Sequence, residues 1–88
     1  MGLDAVELIV MVEQEFAIRI ADRDAARILT VGELCDHVVL CCMQSHGLAA
    51  PSATNIEQRI SRILVQQLHI HPEQIHRAAR FVDDLGLD

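Results

Sequence analysis

The sequence predicts an all-α protein, and three observations carry that prediction. Its core must be aliphatic, because 51% of the 88 residues are hydrophobic while Phe16 and Phe81 are the only Phe, Trp or Tyr. Apolar residues between Leu3 and Phe16 recur at helical spacing, and two later segments begin with helix-capping signatures. No second segment alternates clearly enough to give a strand a partner. A chain of this length makes one small domain with a modest core, near the size at which stability becomes marginal.

In the first element Ala5, Leu8, Val12 and Phe16 form one apolar stripe, and Leu3, Val6 and Val10 form another. One stripe suits the core, which leaves the other as a candidate contact surface. The run Leu8 to Val12 has the β-branched content of a strand, but the helical spacing of the flanking charges decides for a helix. Ile18-Arg19-Ile20 alternates and reads as an extended connector with two isoleucines turned inward. A short helical turn is expected from Asp22 to Ile28. Thr30-Val31-Gly32-Glu33 has the form of a capping box, and the helix it opens places Val31, Leu34, Cys35, Val38 and Cys42 on one face. That helix should end near Ser45. Gly47 to Ala53 has loop composition. Thr54-Asn55-Ile56-Glu57 reads as a second capping box, starting a helix with Ile56, Ile60, Ile63, Leu64 and Leu68 toward the core. Pro72 is placed to begin a turn or short helix, and Phe81, Val82 and Leu85 read as core anchors.

Composition excludes several functions. The formal charge is -6, with seven arginines and no lysine, so the chain lacks the basic face that nucleic-acid phosphates require. It points instead to basic protein partners or to none. Three cysteines without secretory context make no disulfide framework. The apolar run Leu8 to Val12 is short and preceded by acids, unlike a signal peptide, and no segment approaches membrane-spanning length. Met1-Gly2 invites a myristoylation reading, but Val6 stands where that motif wants Ser or Thr. A soluble, cytoplasmic protein is expected. His69, His71, His76 and Cys41-Cys42 match no metal-ligand spacing, so no metal is expected. No Ser-His-acid or Cys-His arrangement signals an enzyme.

The chain closes on Phe81-Val82-Asp83-Asp84-Leu85-Gly86-Leu87-Asp88 and opens on Gly2-Leu3-Asp4-Ala5-Val6-Glu7-Leu8. Joined tail to head, these segments resemble the signature of acyl carrier proteins. In that family a Phe-Val-acid-Asp-Leu-Gly stretch precedes an Asp-Ser-Leu-Asp run, whose serine receives phosphopantetheine. Ile56 to Ile70 resembles the family's first helix, and Leu3 to Phe16 its second, recognition helix. Ile18-Arg19-Ile20, the Asp22 to Ile28 segment and the Thr30 helix start follow in family order. Five segments in cyclic order identify a circularly permuted, acyl-carrier-like four-helix bundle. Residues 1–46 resemble the family's C-terminal half, residues 47–53 are a new linker, and residues 54–88 resemble its N-terminal half. His69 stands where the family usually has glycine, which implies a helix end remodelled to avoid a left-handed residue costing about 1 kcal/mol.

The resemblance implies 4'-phosphopantetheine as the prosthetic group, but Gly2 occupies the attachment position, after Asp88 and before Leu3. None of Ser45, Ser52 and Ser61 has an Asp-Ser-Leu context. It also implies a docking face made of Asp88, Leu3, Asp4, Val6, Glu7, Val10 and Glu13, whose acids steer the encounter with basic surfaces of acyl-transfer, fatty-acid or polyketide enzymes. A charged helix side that is merely solvated would show the same acids. The two functional readings are therefore a carrier-type docking module and a non-carrying structural or regulatory interaction protein with the same fold. A linker that closes within one chain gives a monomer; one too short gives a swapped dimer.

Overall fold

Four helices and two short 3-10 turns make up most of the chain. A computed structural model describes residues 3–87, with helices α1 (Leu3–Phe16), α2 (Asp22–Arg27), α3 (Val31–His46) and α4 (Ala53–Leu68). The 3-10 turns are Gly47–Ala49 and Pro72–Gln74. Among the described residues the only β pairing is an antiparallel bridge between Thr30 and Arg80. The all-α expectation holds.

Helix α1 buries the first of its two apolar stripes, at Leu8, Val12 and Phe16, and leaves Val6 and Val10 exposed. It closes at Ala17, which is left-handed at φ 53. The Ile18 amide then returns to the Glu13 carbonyl at 3.1 Å, a Schellman-type closure. Beyond it Ile18 and Ile20 are both buried, as their alternation predicts. Side chains cover two more of the end carbonyls of α1. Arg59 donates to Glu15 O at 2.9 Å, and His46 Nε2 donates to Phe16 O at 2.9 Å.

At the start of α3 the Thr30 hydroxyl accepts from the Glu33 amide at 3.2 Å and meets the Glu33 carboxylate at 3.1 Å. The face expected inside is buried at every position, Val31, Leu34, Cys35, Val38 and Cys42. The expected cap of α4 needs correction. Ser52, extended at φ -66 and ψ 159, accepts from the Asn55 amide at 3.1 Å, so the helix begins two residues before a Thr54 cap would allow. Ala53, assigned to the linker by sequence, is the first helical residue. Helix α4 packs on both α1 and α3, burying Ile56, Ile60, Ile63 and Leu64, with Leu68 half-buried. Its C-cap, His69, keeps the left-handed conformation at φ 57 and ψ 35 despite its Cβ, and the Ile70 amide bonds Leu64 O at 3.0 Å. The helix end is strained rather than remodelled.

After α4 the chain turns at Pro72 and runs back as a strap over the α2–α3 junction. Phe81 N–H donates to Leu29 O at 3.0 Å, while Val31 and Gly32 donate to Ala79 O at 3.0 Å and Arg77 O at 2.9 Å. Val31 and Gly32 supply first-turn amides of α3, which a helix cannot satisfy internally. Gly32 suits this close approach, since a Cβ there would lie 3.0 Å from the Arg77 carbonyl oxygen and the strap would have to shift by a few tenths of an ångström. The Arg77 guanidinium then spans Asp36 at 2.7 Å and Glu57 at 2.8 Å, joining α3 to α4. Phe81, Leu85 and Leu87 are buried, but Val82, expected as a core anchor, is 61% exposed. The segment is a helical turn, in which residues four apart share a side and Val82 rotates outward.

Candidate functional site

The run Asp83-Asp84-Leu85-Gly86 folds into a capped turn. The amides of Asp84 and Leu85 both bond Arg80 O at 3.0 Å, and the Asp84 carboxylate accepts from the Arg80 amide at 2.8 Å. Gly86, at φ 71, reverses the chain in the left-handed region that favours glycine. The Leu87 amide then reaches Phe81 O at 2.8 Å. Each residue of the run therefore has a physical function: Asp84 caps, Leu85 anchors and Gly86 turns. Asp83 makes a surface ion pair with Arg80 at 3.2 Å.

This turn lies beside the first turn of α1. A cleft of about 370 Å³ is lined by Ala5 of α1, by Ala26, Ile28 and Leu29 at the end of α2, and by Arg80, Phe81, Val82 and Asp83. Residues from the two sequence segments that resemble one interrupted signature thus share one cleft.

The sequence-predicted docking residues divide into groups. Gly2 and Asp88 lie outside the described residues, as does the side chain of Leu3, whose backbone opens α1. Asp4 is half-buried in the first turn, where a carboxylate complements the positive helix end. Val6, Glu7 and Val10 are exposed. Glu13 is half-buried, and its Oε2 accepts from the Ile20 amide at 2.8 Å, a structural role the sequence reading did not include. Neighbouring Glu15 bonds Arg59 at 2.7 Å, and that guanidinium sits 4.4 Å from the Phe16 ring centroid. Free side chains thus belong to the front of α1, while its rear is bound internally. Leu29 and Val82 belong to the exposed rim of the cleft and were missed; the four-residue spacing of Phe81 and Leu85 was the signal that turns Val82 outward.

The hydroxyl groups do not fit the arm that the resemblance implies. Thr30 and Ser52 cap helices, Ser45 lies in the last turn of α3 and Ser61 in the middle of α4. None lines the cleft. A second, more polar cleft of about 930 Å³ lies between α1, the connector and α3, with Glu13, Arg19, Asp24, His37 and Cys41 among its lining residues. The His37 Nε2 beside it is buried without a hydrogen-bond partner. Among the described residues no three His, Cys, Asp or Glu are placed to hold a metal ion. Burial, reinforced by nearby Glu57, pushes the Cys35 thiol from 9.0 up to about 11. Burial also raises Cys41 and Cys42. None of the three is a ready thiolate at neutral pH. Among the described residues no helix is long and apolar enough to cross a membrane.

No solved structure matches the chain. Residues 3–38, which cover α1, α2 and the first half of α3, match the family model described as Phosphopantetheine attachment site. That match spans less than half of the chain, and over its span it supports the resemblance to acyl carrier proteins.

Proposed function

We propose that the chain is a non-catalytic, carrier-type module that docks on acyl-transfer or fatty-acid or polyketide enzymes, with its two halves in permuted order. The match at residues 3–38 carries this reading, and the cleft shared by Ala5 and Phe81–Asp83 supports the permutation. The proposed docking face is the front of α1, with Asp4 and Glu7 steering a basic partner and Val6 and Val10 completing contact. Covalent carriage of phosphopantetheine is not part of the proposal, because Gly2 brings no hydroxyl to the position before Leu3. The same observation favours the second reading, a non-carrying interaction protein that keeps the carrier fold. We place the protein in the cytoplasm as a monomer, with residues 47–52 joining α3 to α4.

Intact mass after incubation with coenzyme A and a broad-specificity phosphopantetheinyl transferase tests carriage. The mass should stay unchanged, and gain of one phosphopantetheine on any serine would overturn the non-carrying assignment. A joined, unpermuted chain with Ser between Asp88 and Leu3 should accept the arm if the surrounding recognition surface is intact. Docking is tested by Glu7→Lys, which should weaken binding to a basic carrier-protein enzyme, less so as salt shortens screening below about 10 Å. Equal binding by wild type and variant would remove α1 from the docking face.

A further inference from the structure

The strap is fastened differently at its ends and in its middle. Its far end is held by burial, since Ala79, Phe81, Leu85 and Leu87 are all buried and the terminal turn closes on itself through Arg80 O and Phe81 O. Its near end is held by Ile70, buried and bonded to Leu64 O. Between these anchors every residue from His71 to Ala78 is exposed except Ile75, which is half-buried. Pro72 and Ile75 share a cleft of about 300 Å³ with Ser61, Arg62 and Val65 of α4, so the packing there is open.

A stretch that buries so little apolar surface gains little from the hydrophobic effect, and polar contacts must hold it. Among the described residues, every hydrogen bond from residues 71–78 to a helix comes from Arg77. Its carbonyl accepts from the Gly32 amide at 2.9 Å, and its guanidinium bonds Asp36 of α3 at 2.7 Å and Glu57 of α4 at 2.8 Å. Its stem lies on Gly32, 3.1 Å from where a Cβ on that residue would stand. Both ion pairs are surface pairs, with the Arg77 side chain 56% exposed, so water and salt weaken them. We propose that residues 71–78 form a lid that opens independently of the four helices, with Arg77 as its latch. In the open form the first turn of α3 is bare at Gly32, while the front of α1 and the junction cleft keep their shape, because neither contains a lid residue. The module thereby has a second conformation that neither docking nor carriage requires, and the population of that conformation rises with ionic strength.

Hydrogen exchange of the full chain, followed amide by amide by NMR, tests the lid. Gly32 is the reporter, since a first-turn donor has no helical acceptor and Arg77 O is what protects it. Phe81, bonded to Leu29 O on the anchored side, and Val38, inside α3, report on the bundle. After correction for intrinsic rates, Gly32 should exchange at least about tenfold faster than either. Its rate should stay flat in urea below the unfolding transition, because opening the lid exposes little surface. Arg77→Ala should speed Gly32 exchange about fivefold, the effect of two exposed ion pairs. It should also remove most of the acceleration that about 1 M salt produces in wild type, where screening reaches about 3 Å. Gly32 exchange that climbs with urea as steeply as that of Val38 would mean that strap and helices open together, and overturns the lid. Gly32 exchange indifferent to Arg77→Ala and to salt overturns the latch. The urea series uses wild type alone, so it decides the lid even if Arg77→Ala does not fold; Arg77→Lys, a point charge in place of the two-armed fork, then serves for the latch. Neither result bears on binding at α1, which the docking measurements decide separately.

Discussion

Replacing Glu13 separates a structural acid from its surface neighbours on α1. Its carboxylate accepts from the Ile20 amide at 2.8 Å, holding the connector that buries Ile18 and Ile20. A hydrogen bond to a charged group contributes about 1.5–3 kcal/mol, and the partner left behind is a partly buried amide. Alanine returns roughly 0.4 kcal/mol through its better helix propensity. Glu13→Ala should therefore lose about 1.5–2.5 kcal/mol, and Glu13→Gln, which keeps a neutral acceptor, about 1 kcal/mol. For a chain of this size 1 kcal/mol corresponds to about 5 °C, so the alanine variant should melt roughly 10 °C lower. Glu7→Lys, on the exposed front of the same helix, should stay within about 0.5 kcal/mol of wild type. Urea and thermal melts of the three variants decide the matter. A Glu13→Ala protein as stable as Glu7→Lys would refute the assignment of the connector's stability to this bond.

Ala17 and His69 are left-handed non-glycine residues closing α1 and α4, so Ala17→Gly and His69→Gly should each stabilise by about 0.5–1 kcal/mol, seen as a higher urea midpoint. Gly32→Ala should destabilise by about 1–3 kcal/mol, because the new Cβ meets strap backbone at 3.0 Å; an unchanged melting temperature would show that the strap yields freely. Cys35 keeps its proton to about pH 11 in the folded chain, against 9.0 for an ordinary thiol. Its contribution is thus complete below pH 9 and lost as pH rises from about 9 to 11, where the unfolded chain ionises first. The stability of Cys35→Ala should fall less over that interval, and alkylation of Cys35 in the wild type should await unfolding.

What was legible in the sequence was local. The Thr30 cap, the buried stripe of α1 and the inward isoleucines each depend on residues a few positions apart, and periodicity or hydrogen-bonding chemistry exposes them directly. Ser52 and Thr54 are both hydroxyl residues ahead of one apolar pattern, and the capping-box spacing to Glu57 selected the wrong one. Ala17 gave no sign of a left-handed turn, since nothing in alanine favours one. Glu13 looked like Glu7 in sequence because its distinction lies in an amide seven residues away. The strap and the cleft depend on segments far apart in the chain, which no local pattern can pair. The likeness to carrier proteins did anticipate that these segments belong together.

The strap also imposes an order on biosynthesis. Helices α3 and α4 are joined by residues 47–52, which open with a 3-10 turn, and can pair as soon as both leave the ribosome. The first amides of α3 cannot, because their acceptors are Arg77 and Ala79. Bringing those residues back closes a loop of roughly fifty residues, whose entropy must be met before any bond forms. A nascent chain with α1 through α4 already translated therefore still has an open end on α3 and an uncovered apolar core beneath Phe81, Leu85 and Leu87. Completion of this fold therefore waits on the strap and not on the helices it covers.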